Sequence, residues 1–156
     1  SSLSPMGAAV TGDDKTIAVL RASNSSSTSM SSVTLKGLPM NLNATFAPIG
    51  DRELKVYKQF ISPSTLVYTK TLTAKTWRMD DKLGFYTLTA GSPFTAPVEI
   101  AAGSSVDFYV TYDVIDAQVN DTLCVAPTRT LSSFISSKVL QFPAGSTSPA
   151  IHCLNY

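Results

Sequence analysis

Residues 97–125, PVEIAAGSSVDFYVTYDVIDAQVNDTLCV, decide how the rest of the chain is read. Within them, SVDFYVTYDV alternates. Val106, Phe108, Val110, Tyr112 and Val114 fall on one side, and Asp107, Tyr109, Thr111 and Asp113 on the other. Successive side chains of a strand point to opposite faces. The spacing therefore predicts a half-buried antiparallel strand with the first set in the core. A shorter apolar run, VEIAA, precedes it, and Gly103 between the two can take a positive φ that lets the chain reverse. Residues 116–121 are polar and turn-like, and TLCV resumes an extended pattern. The unit reads as strand, tight turn, long strand, turn, strand.

Working outward, further strands are expected at KTIAVLRA (15–22), SVTLKGL (32–38), ELKVYKQF (53–60), 65–72, LGFYTLTA (83–90) and AIHCLNY (150–156). A short strand follows the bend at Pro39. Residues 24–32, NSSSTSMSS, form a low-complexity polar loop. Trp77 reads as a core anchor, and residues 80–82 as a polar turn. Residues 130–142 read as a strand pair or irregular edge rather than a helix, because serine is poor helix material. Residues 143–149 read as a loop. In KTIAVLRA, Ile17 and Val19 share one face, and Ala18 and Leu20 the other. A strand apolar on both faces is either buried on both sides or paired with a neighbouring molecule. Roughly eight to ten short strands, with turn signals about every eight to twelve residues, argue an all-β, Ig-like, Greek-key sandwich, with a jelly roll as the alternative. The domain is expected to span residues 1–156, with 1–14 an N-terminal arm.

Composition narrows the function. The net charge is +1, charged residues are 15% of the chain, and Lys and Arg are scattered singly. Nucleic-acid binding needs a basic stripe, which is missing, so no nucleic-acid partner is expected. No apolar run approaches the ~20 residues of a membrane helix, so membrane insertion by this chain is not expected. Ser and Thr make up about a quarter of the sequence, which suits strands and loops outside the cytosol. The two cysteines, Cys124 and Cys153, lie outside any CxxC pair. They are either a disulfide or two buried thiols, and the secreted-looking composition favours the disulfide.

No catalytic pattern emerges. The one histidine, His152, adjoins Cys153, and neighbouring side chains on a strand point apart, so a dyad is implausible. Neither GxSxG nor a phosphate-binding glycine loop is present. No cofactor is expected. Asp113, Asp116 and Asp121 cluster around one turn and are weak calcium candidates, against the ordinary role of Asp in turns. Three N-x-[ST] sequons make Asn24, Asn43 and Asn120 possible glycosylation sites.

The motifs together resemble the Ig-like β-sandwich modules of large prokaryotic surface and filament proteins. Those run from an apolar strand through I-x-A-G-x-S and a long alternating strand to A-x-x-G/N-D-T-L. Ile100, Ala102, Gly103, Ser105 and Val106 match the turn, and Ala117, Asn120, Asp121, Thr122 and Leu123 match the exit. The resemblance covers residues 15–125. It implies an extracellular structural part without enzymatic activity. The tail from Pro127 departs from the pattern and more distantly resembles the C-terminal disulfide staple of pilin headgroups.

The expected function is a non-enzymatic structural subunit or module of a bacterial or archaeal pilus, filament or surface layer, secreted or at the cell surface. It would self-associate, or join a sister subunit, through an edge or exchanged strand, with residues 1–22 as donor. Two alternatives stand beside it. A carbohydrate-binding or adhesin module would show exposed aromatics, drawn from Tyr57, Tyr68, Trp77, Tyr86 and Tyr109. A viral capsid or spike jelly roll would carry a basic arm, which residues 1–14 lack.

Overall fold

The computed structural model describes residues 2–3, 11–24, 32–73, 75–80, 85–127 and 152–156. The strands are β1 (Ser2–Leu3), β2 (Gly12–Ser23), β3 (Val33–Leu35), β4 (Met40–Ala44), β5 (Arg52–Lys58), β6 (Leu66–Leu72), β7 (Arg78–Asp80), β8 (Phe85–Ala90), β9 (Val98–Ile100), β10 (Ser105–Val114), β11 (Thr122–Pro127) and β12 (His152–Asn155). A 3-10 turn at Pro63–Thr65 is the only helical element among the described residues. The expected strand pair at 130–142 and loop at 143–149 lie outside them.

The molecule is an all-β sandwich. The first sheet runs β1-β2-β10-β5-β6 and the second β12-β11-β4-β8-β7, with β3 and β9 as a separate pair. All described pairings are antiparallel. The chain crosses between sheets from β4 to β5, from β6 to β7 and from β10 to β11, as Greek-key connections do.

β10 is the central strand, flanked by β2 and β5. Val106, Phe108, Val110, Tyr112 and Val114 are all buried, on the face the alternation assigns to the core. They meet Leu42, Leu88, Leu123 and Val125 of the second sheet in one hydrophobic cluster. Phe108 stacks on Phe94 with centroids 5.5 Å apart, and Trp77 meets Tyr112 edge-on at 6.4 Å. Trp77 is buried, the expected core anchor.

Four expectations are corrected. Gly103 does take φ +74°, but the turn it makes is no hairpin: β9 pairs with β3, while β10 inserts between β2 and β5. In β2 the register passes from Val110↔Ala18 to Thr111↔Thr16. Ile17 is the extra residue of a bulge. Ile17, Ala18 and Leu20 therefore all join the core cluster and Val19 alone faces out, instead of two alternating pairs. Residues 12–14, expected in the arm, begin β2. β7 was not foreseen as a strand.

Candidate functional site on the edge of the first sheet

β2 spans twelve residues. Along one side it pairs with β10 from Ser23↔Ser105 to Gly12↔Val114. Along the other, among the described residues, only Ser2 and Leu3 pair with it, opposite Leu20 and Val19. A strand edge presents a row of N–H and C=O groups that can template another strand. Among the described residues, β2 is thus paired along one side and at two positions of the other.

β2 itself is fastened into the sheet. Near one end Arg21 Nε and Nη2 donate to the two Asp107 oxygens at 2.7 and 3.1 Å, across the register pair Arg21↔Asp107. The hydrogen bond to that carboxylate raises the pKa of the guanidinium. Near the other end the β2–β10 ladder shifts register around Asp113, and its carboxylate replaces the lost backbone bonds. Asp113 Oδ1 accepts from Asp14 N–H at 3.0 Å and Oδ2 from Glu53 N–H at 2.9 Å, tying β2 to β5 across β10. Lys55 spans the same strands, bonding Glu53 at 3.1 Å and Asp14 at 3.3 Å. Its hydrogen bond to Glu53, then that to Asp14, raises its pKa. KTIAVLRA is thus integral to its own sheet, and among the described residues β1 pairs with it at two positions.

The three aspartates expected as calcium candidates are separated into three jobs. Asp113 is the staple just described. Asp116 takes a two-pronged bond from Arg52, 2.8 Å at each oxygen, and accepts from Ile49 N–H at 3.3 Å. That bond raises the Arg52 pKa. Asp121 accepts from Thr45 Oγ1 at 2.8 Å and Gln118 N–H at 2.7 Å. No group of three or more His, Cys, Asp or Glu among the described residues is placed to hold a metal ion. What assigns these carboxylates is partners some 60 to 100 residues away, a signal sequence proximity does not carry.

Cys124 and Cys153 form the disulfide, joining directly opposed positions of β11 and β12 with Cα atoms 4.1 Å apart. The Cys153 sulfur is thereby unavailable as a nucleophile beside His152. The sequons divide. Asn24 is 1% exposed and its Nδ2 donates to Ile100 C=O at 3.0 Å, so it is corrected from glycan site to structural plug. Asn43 is half-buried in β4. Asn120 is exposed, in a turn with φ +76°. Of the tyrosines and tryptophan expected as a binding platform, Tyr57, Tyr68 and Trp77 are buried. The second sheet instead bears a shallow groove of about 520 Å³ lined by Asn41, Asn43, Thr76, Thr87, Leu88 and Thr89, without an ionisable group.

No helix among the described residues is long and apolar enough to cross a membrane. No protein-family model, curated protein or solved structure matches the chain.

Proposed function

We propose that this chain is a non-enzymatic structural subunit or module of an extracellular bacterial or archaeal surface assembly. It joins its neighbour by a strand added along the outer edge of β2. The observation that supports this reading is the place of the short β1 at the edge of the first sheet, against the twelve-residue β2 that is apolar from Ile17 to Leu20. Pairing through backbone hydrogen bonds needs no charge complementarity, which suits a chain of net charge +1. The disulfide supports an oxidising compartment, where such bonds persist. A carbohydrate-binding role through stacked aromatics is disfavoured, because three of the five candidate rings are buried.

The test is deletion of residues 1–10, with light scattering and negative-stain microscopy of both proteins. Full-length chains should form assemblies. The truncated protein should keep its near-ultraviolet dichroism, assemble poorly, and bind a synthetic peptide of residues 1–10. Equal assembly with and without the segment, or a full-length protein that stays monomeric, would sink the proposal.

A further inference from the structure

The two ends of the sandwich carry exposed aliphatic and aromatic side chains that the core does not use. At one end, the loops after β4 and after β10 present Ile49, Val119 and Ile115, 89%, 83% and 50% exposed. At the other, the turn after β5 presents Phe60 and Ile61, 57% and 49% exposed. Gln59 N–H bonds Asp107 C=O, which places that turn beside the start of β10, whereas Ile115 follows its finish. At about 3.3 Å per residue, the two patches lie on the order of 25 Å apart along the strand direction.

The first patch is preorganised. Asp116 holds Ile49 N–H and Arg52 together, Asp121 holds Thr45, and Thr45 N–H bonds Thr122 C=O. The chain terminus closes the same loops: Asn120 N–H bonds Tyr156 C=O, and Tyr156 N–H bonds Asp121 C=O. Loops fixed in this way lose little freedom on binding. Large side chains displayed on a fixed frame are what an interaction site presents, more than isolated surface apolar residues are.

Charge chooses the occupant. Beside the first patch, Asp13 and Asp51 are exposed and, like Lys15 whose side chain reaches Gly12, have no oppositely charged partner among the described residues. Beside the second, Lys58 likewise has no carboxylate partner, since Asp107 is taken by Arg21. The two patches are therefore apolar in their centres, and the balance of these unpaired rim groups is negative at the first, two carboxylates against one ammonium, and positive at Lys58. Two copies of the first patch would bring like charges together, whereas first against second brings opposite ones. We infer that the end bearing Ile49, Ile115 and Val119 docks on the Phe60–Ile61 end of a second copy of this chain. Such a contact uses two different surfaces, so it repeats head to tail and builds a fibre unless the rotation closes a ring. The inference rests on the reading of the chain as a self-assembling subunit but uses the ends of the sandwich rather than backbone pairing along β2.

The experiment is photo-crosslinking of the full-length protein. A benzophenone amino acid replaces Val119, and equal amounts of nitrogen-14 and nitrogen-15 chains are mixed before irradiation. The expected product is a mixed-isotope adduct between position 119 and residues 58–64. It should fall at least tenfold with Phe60→Ser plus Ile61→Asp. It should also weaken with added salt and on Lys58→Glu, and recover when Asp51→Lys is placed in the crosslinking partner. Adducts to residues 45–51 or 115–121 of the other copy would mean that like ends pair, and would overturn the inference. So would adducts within one copy only, or none. Removing residues 1–10 separates the two proposals: the adduct should survive that deletion whether or not the β2 edge takes a strand.

Discussion

The outward faces of the two sheets are built differently. On the first sheet the outward face is closed at its centre, while Glu53, Thr69 and Thr71 toward the β6 edge are exposed. Tyr57, Val19 and Thr111 all point away from the hydrophobic cluster, yet all three are buried. Around them lie the Arg21–Asp107 and Lys55–Asp14–Glu53 bonds. On the second sheet the outward side chains of β4 and β8 are mostly small, polar and uncharged. Asn41 opposes Thr89, Asn43 opposes Thr87, and Thr89 Oγ1 donates to Asn41 Oδ1 at 3.0 Å. Its cross-strand lock is covalent, the Cys124–Cys153 bridge. The first sheet is thus held by the core on one face and by buried outward side chains and ion pairs on the other, the second by the core on one face and a disulfide on the other. This difference says which changes each sheet will tolerate.

The largest expected effect lies where both sheets meet. Phe108 is wholly buried on the central strand, between Leu20 of β2 and Lys58 of β5 in register, and it stacks on Phe94. Phe108→Ala should cost about 3–5 kcal/mol, the range for emptying a buried aromatic site. Urea unfolding measures it. A loss below roughly 1 kcal/mol would mean that β10 is not the shared spine and that the sheets are separately stable.

Next comes the lock on the second sheet. The disulfide closes a sequence separation of 29 residues. Replacing both cysteines with serine should cost about 2–4 kcal/mol, chiefly by freeing the unfolded chain. Hydrogen exchange should then rise first in β11 and β12. If protection is lost first along β2 and β10, the contrast between the sheets is drawn in the wrong place.

Buried phenols give a pH test that touches both sheets. Burial pushes Tyr156, which packs edge-on against Phe46, up to about 12, and it raises Tyr112, Tyr68 and Tyr57 as well. A tyrosine in the unfolded chain titrates near 10. The folded state therefore favours the neutral phenol. This contribution is fully present below about pH 10 and is lost as pH rises through the folded value near 12. The urea midpoint should be flat up to about pH 10 and fall above it, and Tyr156→Phe should flatten part of that fall. A midpoint that drops well below pH 10 would indicate phenols open to solvent.

How much of this was legible in the sequence follows from what kind of force sets each feature. The alternation of β10 was plain because one face of it is pure core. The cysteine pairing was legible because only one pairing exists. β7 was invisible: Arg78-Met79-Asp80 is too short to show an apolar period, Met79 is exposed, and the strand is defined by its pairing with β8. The start of β2 was lost for the same reason, since Gly12-Asp13-Asp14 pairs through backbone and the Asp113 carboxylate. The Ile17 bulge could not be seen, because a register shift moves faces without changing composition. The site was less legible still. The edge of β2 was suspected from apolar residues on both faces, but how β2 is fastened into its own sheet depends on Asp107, Asp113 and Lys55, all distant in sequence.

The smallest expected effect sharpens the comparison most. Thr111 and Thr89 are both outward-facing threonines on strands. Thr111 is wholly buried, and its Oγ1 has no hydrogen-bond partner among the described residues. Thr89 is exposed and donates to Asn41. Valine has nearly the shape of threonine without the hydroxyl. In Thr111→Val an uncompensated buried polar group disappears, so the protein should gain about 0.5–1 kcal/mol. In Thr89→Val a water-exposed bond is exchanged for an exposed methyl, and the change should stay within about 0.5 kcal/mol. The two substitutions are chemically identical, so the difference between their urea midpoints isolates how closed each outward face is. A destabilised Thr111→Val beside a neutral Thr89→Val would place a hydrogen-bond acceptor over β10. Equal effects at both sites would mean that the first sheet's outward face is as open as the second's, and the distinction between the sheets would go with it.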